Sequence, residues 1–218
     1  MVLENSRIDS FRLRLVKTAR VARSGSGDPE FDLPQVHQDP EIAILRAQAG
    51  ADVVMFVANY TSGCNGTAYK NTRPVQYGQA FAGYAVGVVD RASVKNSLVF
   101  VHELGHMLGM DHDVGSPHDV PSDNSFPFAY GHVAPLTEPH AQGVLTVMAH
   151  QGSCGGNAAC QQVPYFSNPD IAPAAAPCQG RALGVQDQSE NYRVAAIGGP
   201  ITADFMVPDD ILVSSFED

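Results

Sequence analysis

Residues 102–113 read HELGHMLGMDHD and place three histidines, a glutamate and a glycine within twelve residues. On an α-helix, His102 and His106 project from one face about one turn apart, so both imidazoles can bind a single cation. Glu103 is rotated by about 100° from His102, so it flanks the cation without binding it. A carboxylate in that position can act as a general base toward a water on the cation.

Gly109 and His112 complete the pattern of the quoted stretch. A glycine can adopt a positive φ, which ends the helix in a sharp turn and brings His112 back as a third ligand. Three protein ligands leave a fourth position for water or substrate, as in catalytic zinc sites. An ordinary helix that is rich in histidine is the alternative, and the joint spacing of ligands, base and turn disfavours it.

The pattern H-E-x-x-H-x-x-G-x-x-H resembles the zinc signature of the metzincin metallopeptidases. Met148, 36 residues after His112, is similar in position to the methionine of that clan's turn beneath the metal. Asp113 resembles the residue that follows the third histidine in the adamalysin (reprolysin) branch. The resemblance covers about residues 40–205 and extends equally to bacterial reprolysin-like proteins and to peptidyl-Asp metallopeptidases.

This resemblance implies an α/β (α+β) fold with a mixed, mostly parallel five-stranded sheet and with the zinc helix on the floor of a cleft. It implies one catalytic domain over residues 1–218, with an N-terminal subdomain to about residue 112 and a small loop-rich subdomain from about 113. It assigns one catalytic Zn²⁺ to His102, His106 and His112, the base to Glu103, and supporting roles to Met148, Gly109 and Asp113.

Two further stretches resemble substrate-binding segments of the same clan. The segment GTAY (Gly66, Thr67, Ala68 and Tyr69) would be part of an edge strand that pairs with extended substrate, and ordinary sheet is its alternative role. The segment VPYFSN would line a side-chain pocket through Pro164, Tyr165 and Phe166. The expected activity is hydrolysis of internal bonds in protein or peptide substrates.

One position departs from the resemblance. Some branches carry a metal-contacting tyrosine two residues after the turn methionine, where this chain has His150. A fourth histidine ligand would close the metal site. A zinc-bearing binding module without turnover is therefore the alternative function, and Glu103 argues against it because such a module needs no base.

Composition limits the remaining possibilities. The chain has 218 residues, 44% of them hydrophobic, as expected for one globular domain. A net charge of −10 disfavours nucleic-acid partners, which require clustered cations. The exception is a basic N-terminal stretch, whose alternation at residues 11–15 predicts a strand with one solvated face, or alternatively a basic arm for an anionic partner.

Local signals predict several elements between this stretch and the C-terminus. Residues 23–35 have the Gly, Ser and Pro content of a loop. A helix over Pro40–Gln48, stopped by Gly50, precedes a buried strand at residues 53–57. The zinc helix should begin near Asn96 or Ser97, and the last helix at Ser189.

The cysteines and the absence of long apolar runs bear on location. Four cysteines without a C-x-x-C pair suggest disulfides, with Cys154–Cys160 preferred and Cys64–Cys178 left as the second pair; four reduced thiols are the alternative. No signal peptide and no membrane span is visible, so secretion is inferred from the disulfides. We expect a monomer, and no EF-hand-like spacing supports Ca²⁺.

Overall fold

The computed structural model describes residues 1–61, 63–72, 78–116, 124–136, 142–154 and 160–206. Helices and strands are interspersed along these residues, which confirms a mixed α/β class. None of the described helices is long and apolar enough to cross a membrane. In chain order the elements are α1 (Val2–Asn5), α2 (Pro29–His37), α3 (Pro40–Ala49), β1 (Val54–Ala58), β2 (Gly66–Ala68), a 3₁₀ helix (Gln79–Tyr84), β3 (Val86–Asp90), α4 (Arg91–Asn96), α5 (Val99–Met107), β4 (Asp111–Asp113), β5 (Tyr130–Gly131), β6 (Val133–Ala134), β7 (Gly143–Leu145), a second 3₁₀ helix (Gln151–Cys154), β8 (Cys160–Gln162) and α6 (Asn191–Thr202).

Aspartate caps begin the two helices that precede the sheet. Asp39 accepts hydrogen bonds from the first backbone amides of α3, and Gly50 ends that helix with φ of 56°, as predicted. The predicted loop over residues 23–35 is wrong in its second half, which is the start of α2. Asp28 caps α2 by accepting from Glu30 N at 2.9 Å, and Pro29 occupies its first position.

The main sheet has the strand order β1-β3-β2. Strand β1 is parallel to β3, and β2 is antiparallel to β3. All five residues of β3 are buried, whereas β1 is mostly half-buried, so the predicted strand at 53–57 is present but less covered than expected. Among the described residues β2 has one neighbour in the sheet, so its other side is an edge, and α5 packs against the strand at Gly66.

The five-stranded sheet implied by the resemblance is not found among the described residues, where the main sheet has three strands. The predicted strand at residues 11–15 is not formed either. This segment runs past β1 across a cavity of about 830 Å³, and Leu15 is 80% exposed. Paired strands lie about 4.8 Å apart. Residues 11–15 and β1 are separated by the cavity, so their backbones are too far apart to pair.

The largest apolar cluster contains residues from both predicted subdomains. Phe81 and Leu104 from the first half of the chain pack in one cluster with Met148, Phe166 and Val194 from the second half. The second half also has its own smaller cluster around Val144 and Leu183. The loop-rich C-terminal half is therefore joined to the helix-and-sheet half through shared core rather than through a linker.

The N-terminal residues take part in this junction. Ser6 is fully buried, and its hydroxyl accepts a hydrogen bond from Phe166 N at 2.8 Å while donating to Val2 O. The backbone carbonyl of Ser6 accepts from the Asn168 side chain at 3.2 Å. These bonds join residues that are about 160 positions apart in the chain.

The cysteines follow the sequence prediction in part. Cys154 and Cys160 form a disulfide, which confirms the preferred pair. The second predicted pair is wrong, because Cys64 and Cys178 are both free. Cys64 lies exposed in the loop before β2 and donates to Gly66 O, whereas Cys178 is buried in the C-terminal apolar cluster.

We expect Ser6→Ala to lower the free energy of unfolding by about 1–3 kcal/mol, because it leaves the buried Phe166 amide without an acceptor. For a domain of this size that corresponds to a decrease in Tm of roughly 2–10 °C, measured by calorimetry or circular dichroism. The exposed Ser10→Ala is the matched control and should change stability by less than about 0.5 kcal/mol. Equal melting temperatures for the two variants would contradict the junction described above.

Candidate metal centre

Helix α5 carries His102 and His106 on one face, with their ring centroids 4.9 Å apart. The predicted start of this helix is displaced by a few residues, because α4 ends at Asn96 and α5 begins at Val99. The N-cap residue is Leu98, which makes no side-chain cap bond, so the predicted cap is wrong; the Ser97 hydroxyl nevertheless accepts from Val99 N at 3.3 Å. One continuous helical turn therefore sets the spacing of the first two imidazoles.

Gly109 ends the helix and turns the chain, as predicted, with φ of 95°. Gly109 N donates to His106 O, and Met110 N donates to Gly105 O. The turn brings His112, on β4, to the two helical histidines. Its Nε2 atom lies 3.1 Å from that of His102 and 3.2 Å from that of His106.

Backbone carbonyls fix the tautomers of the two helical histidines. His102 Nδ1 lies 2.8 Å from Val147 O, and His106 Nδ1 lies 3.1 Å from Met110 O. A carbonyl can only accept, so each Nδ1 carries the proton and each Nε2 presents a lone pair to the centre. Such carbonyl partners of the distal ring nitrogen are typical around metal-binding histidines.

The donor set fits a zinc ion. Tetrahedral zinc with Zn–N bonds of about 2.05 Å separates its nitrogen ligands by about 3.3 Å, close to the observed separations. Lone pairs facing one another at that distance would repel without a cation between them. Burial lowers the pKa of both His102 and His106, which keeps these imidazoles neutral and available as ligands.

Glu103 follows His102 on helix α5 and is almost fully buried. Burial raises the pKa of its carboxyl to about 8. A divalent cation close by acts in the opposite direction and favours the carboxylate. Gly66 of strand β2 makes room for this side chain, since a Cβ at Gly66 would lie 2.9 Å from Glu103 Oε1.

Met148 follows Val147, whose carbonyl contacts His102, and it is buried in the main apolar cluster. Its thioether packs against Gly105, where a Cβ would overlap the Met148 sulfur. The Phe166 ring packs beside it against the same glycine. Gly105, which the sequence prediction did not single out, therefore allows the methionine segment to approach the zinc helix closely.

Asp113 connects the third histidine to the methionine segment. It is buried, and its Oδ1 accepts from His150 N at 2.6 Å. The His150 ring centroid lies 6.1 Å from that of His112, but the converging group comprises His102, His106 and His112 without His150. His150 Nδ1 accepts instead from Gly152 N at 3.1 Å.

The predicted substrate residues divide into two groups. Gly66–Ala68 form the edge strand β2, and Tyr69 continues it by donating its amide to Val86 O. In the other group, Pro164 and Tyr165 are half-buried, whereas Phe166 is fully buried in the main core. Phe166 therefore supports the zinc helix from below rather than lining an open pocket.

A buried ion pair beside the centre was absent from the sequence prediction. Lys70 Nζ lies 2.6 Å from Asp111 Oδ2, and Asp111 Oδ1 accepts from His112 N. The two charged residues are 41 positions apart, so no local spacing could indicate their contact. Only the adjacency of Asp111 to a predicted ligand could have drawn attention to it.

Three converging imidazoles form a donor set that fits zinc, as in the class of zinc metallopeptidases, whose members hydrolyse peptide bonds. The family model described as metallo-peptidase family M12B, reprolysin-like, matches residues 3–113. The chain belongs to this family, whose members use zinc. The matched residues include the whole 102–113 stretch.

Two individual proteins are similar to the chain. The peptidyl-Asp metalloendopeptidase of Pseudomonas aeruginosa is 28% identical over 185 residues, which cover 80% of this chain and 29% of that protein. A solved structure described as a chaperone–substrate complex aligns with a TM-score of 0.62 and 22% identity, over 94% of this chain and 29% of that one. This structural likeness concerns the fold alone. The chain spans under a third of the length of each protein.

We expect Gly105→Ala to destabilise the protein by about 1–3 kcal/mol and to weaken zinc binding, because the added methyl displaces Met148 from beneath the histidines. Thermal unfolding and competition with a zinc chelator measure the two effects. Gly83→Ala is the matched control, since a Cβ there has no atom within 4 Å. A Gly105→Ala variant with unchanged Tm and zinc affinity would show that the close approach is not required.

Proposed function

We propose that this chain is the catalytic domain of a zinc-dependent metalloendopeptidase that cleaves internal peptide bonds. The observation that carries the proposal is the convergence of the three histidines, with the buried Glu103 next to His102 on the same helix. His102, His106 and His112 would hold the zinc ion. The metal, when bound, would supply Lewis-acid activation of water and of the scissile carbonyl.

Glu103 would be the general base. Its nearly complete burial excludes bulk water from the carboxylate, and the same burial raises the pKa of the carboxyl, which supports a role in accepting a proton. The carboxylate would accept a proton from the attacking water and then donate it to the leaving amine. The absence of a side chain at Gly66 leaves the carboxylate room at the edge strand.

Strand β2 would align the substrate. It is the edge of the main sheet, and its residue Gly66 contacts Glu103 directly. An extended peptide that adds to this edge would run past the base and the histidines. Gly66, Thr67, Ala68 and Tyr69 are the proposed substrate-binding residues, and Pro164 and Tyr165 are proposed to line the neighbouring pocket.

We also propose the cellular location, the domain organisation and the oligomeric state of the protein. The Cys154–Cys160 disulfide supports secretion, because such bonds persist in oxidising compartments. The shared core supports one catalytic domain with its two predicted subdomains on either side of His112. Protein or peptide substrates follow from the family, and a monomer is the expected state in solution.

We expect Glu103→Gln to retain stoichiometric zinc and to lose several orders of magnitude of activity on denatured casein, because an amide cannot accept the proton. Zinc content by atomic absorption and casein cleavage with and without chelator are the two measurements. Glu30→Gln is a control for loss of one carboxylate on the surface and should leave cleavage unchanged.

Three results would bear against the proposal. Persistent cleavage by the Glu103→Gln variant would exclude Glu103 as the base. Zinc-loaded wild-type protein that cleaves neither casein nor a diverse peptide library would favour a binding module without turnover. A purified wild-type protein without affinity for zinc would exclude the metal centre itself.

A further inference from the structure

The Lys70–Asp111 ion pair lies beside the metal centre. Both carboxylate oxygens of Asp111 have a partner, and only one of them contacts the lysine. Asp111 is 2% exposed and Lys70 is 22% exposed, and Lys70 Nζ lies 2.6 Å from Asp111 Oδ2. The other oxygen, Oδ1, accepts from the backbone N–H of His112 at 2.8 Å. One carboxylate therefore joins the lysine to the backbone of the third histidine.

The lysine belongs to the segment that continues the edge strand β2. One residue further on, Asn71 N donates to His106 O at 3.0 Å, and Asn71 is fully buried. The same segment therefore contacts the backbone of His106 directly and the backbone of His112 through Asp111. Two of the three histidines are linked in this way to the proposed substrate-binding strand.

Strand pairing alone does not fix the position of His112. Strand β4 pairs with β5 through Asp111 and Asp113, and the register shifts between these two residues, where His112 lies. The side chain of a residue at such an irregularity can change direction with little change in the rest of the strand. The charge-assisted bond from Lys70 restricts the Asp111 rotamer and, through Oδ1, the backbone of His112.

We propose that Lys70 and Asp111 are positioning residues that hold His112 Nε2 toward the other two histidines and so set the affinity of the centre for zinc. This inference rests on the proposed function. It adds a role for a lysine on the edge-strand segment, outside the zinc helix. Neither residue contacts the reacting atoms in this role.

Asp111→Asn tests the proposal with an isosteric change. Asparagine replaces one of the two carboxylate oxygens by an NH2 group, so either the Lys70 ammonium or the His112 N–H would face a donor instead of an acceptor. We expect zinc affinity, measured by competition with a chromophoric chelator, to fall about 10- to 100-fold. Lys70→Met should weaken zinc binding in the same direction, whereas Lys70→Arg should remain within about threefold of wild type because it keeps the charge.

Two readouts separate positioning from general destabilisation. Arg23→Met removes another partly buried ion pair, with Asp39, and should leave zinc affinity unchanged whatever its effect on Tm. The visible absorption spectrum of the cobalt-substituted protein reports the ligand geometry, and it should change in Asp111→Asn and Lys70→Met but not in Arg23→Met. If either single variant does not fold, the double variant Lys70→Met/Asp111→Leu removes both charges together and should show the same loss of affinity.

The outcomes separate this inference from the proposed function. If the wild type binds zinc and cleaves casein while the folded Asp111→Asn and Lys70→Met variants bind zinc within twofold of wild type, the positioning role is overturned and the proposed function stands. The same result for the folded double variant would overturn it equally. If the wild type itself does not bind zinc, the proposed function fails first and this inference fails with it.

Discussion

Three converging imidazoles, with His112 Nε2 lying 3.1 and 3.2 Å from the Nε2 atoms of His102 and His106, impose the main physical constraint on this fold. Two of the rings have their protonated nitrogens turned outward to backbone carbonyls, so lone pairs converge at the centre. A divalent cation between the nitrogens removes the repulsion between their lone pairs, because each lone pair then binds the cation. Metal binding and the local stability of this region are therefore coupled.

Three parts of the chain surround that convergence. Helix α5 carries His102, His106 and Glu103, the turn at Gly109 precedes His112, and Met148 packs against Gly105 of the helix. Small residues permit these approaches, because Gly105 admits the methionine sulfur and Gly66 admits the Glu103 carboxylate. The site thus requires the absence of side chains at particular positions as much as the presence of ligands.

Much of the local structure could be predicted from the chain. The Gly50 stop and the turn at Gly109 follow from short-range backbone chemistry, and each is found where expected. Predictions failed for features that depend on contacts between residues distant in the sequence. Residues 11–15 alternate as a strand does but pair with no strand among the described residues. Cys64 is exposed whereas Cys178 is buried, and the two do not form a disulfide.

The sequence by itself determined the relative placement of His102, Glu103 and His106, because the helical repeat of about 3.6 residues fixes the direction of each side chain around the helix axis. It also determined the turn toward His112, because glycine readily adopts a positive φ. Only the tertiary structure decided which groups orient these residues. Val147 O is 45 residues from His102, and Lys70 is 41 residues from Asp111, so their contacts depend on how the sheet, the helix and the loop-rich half pack together.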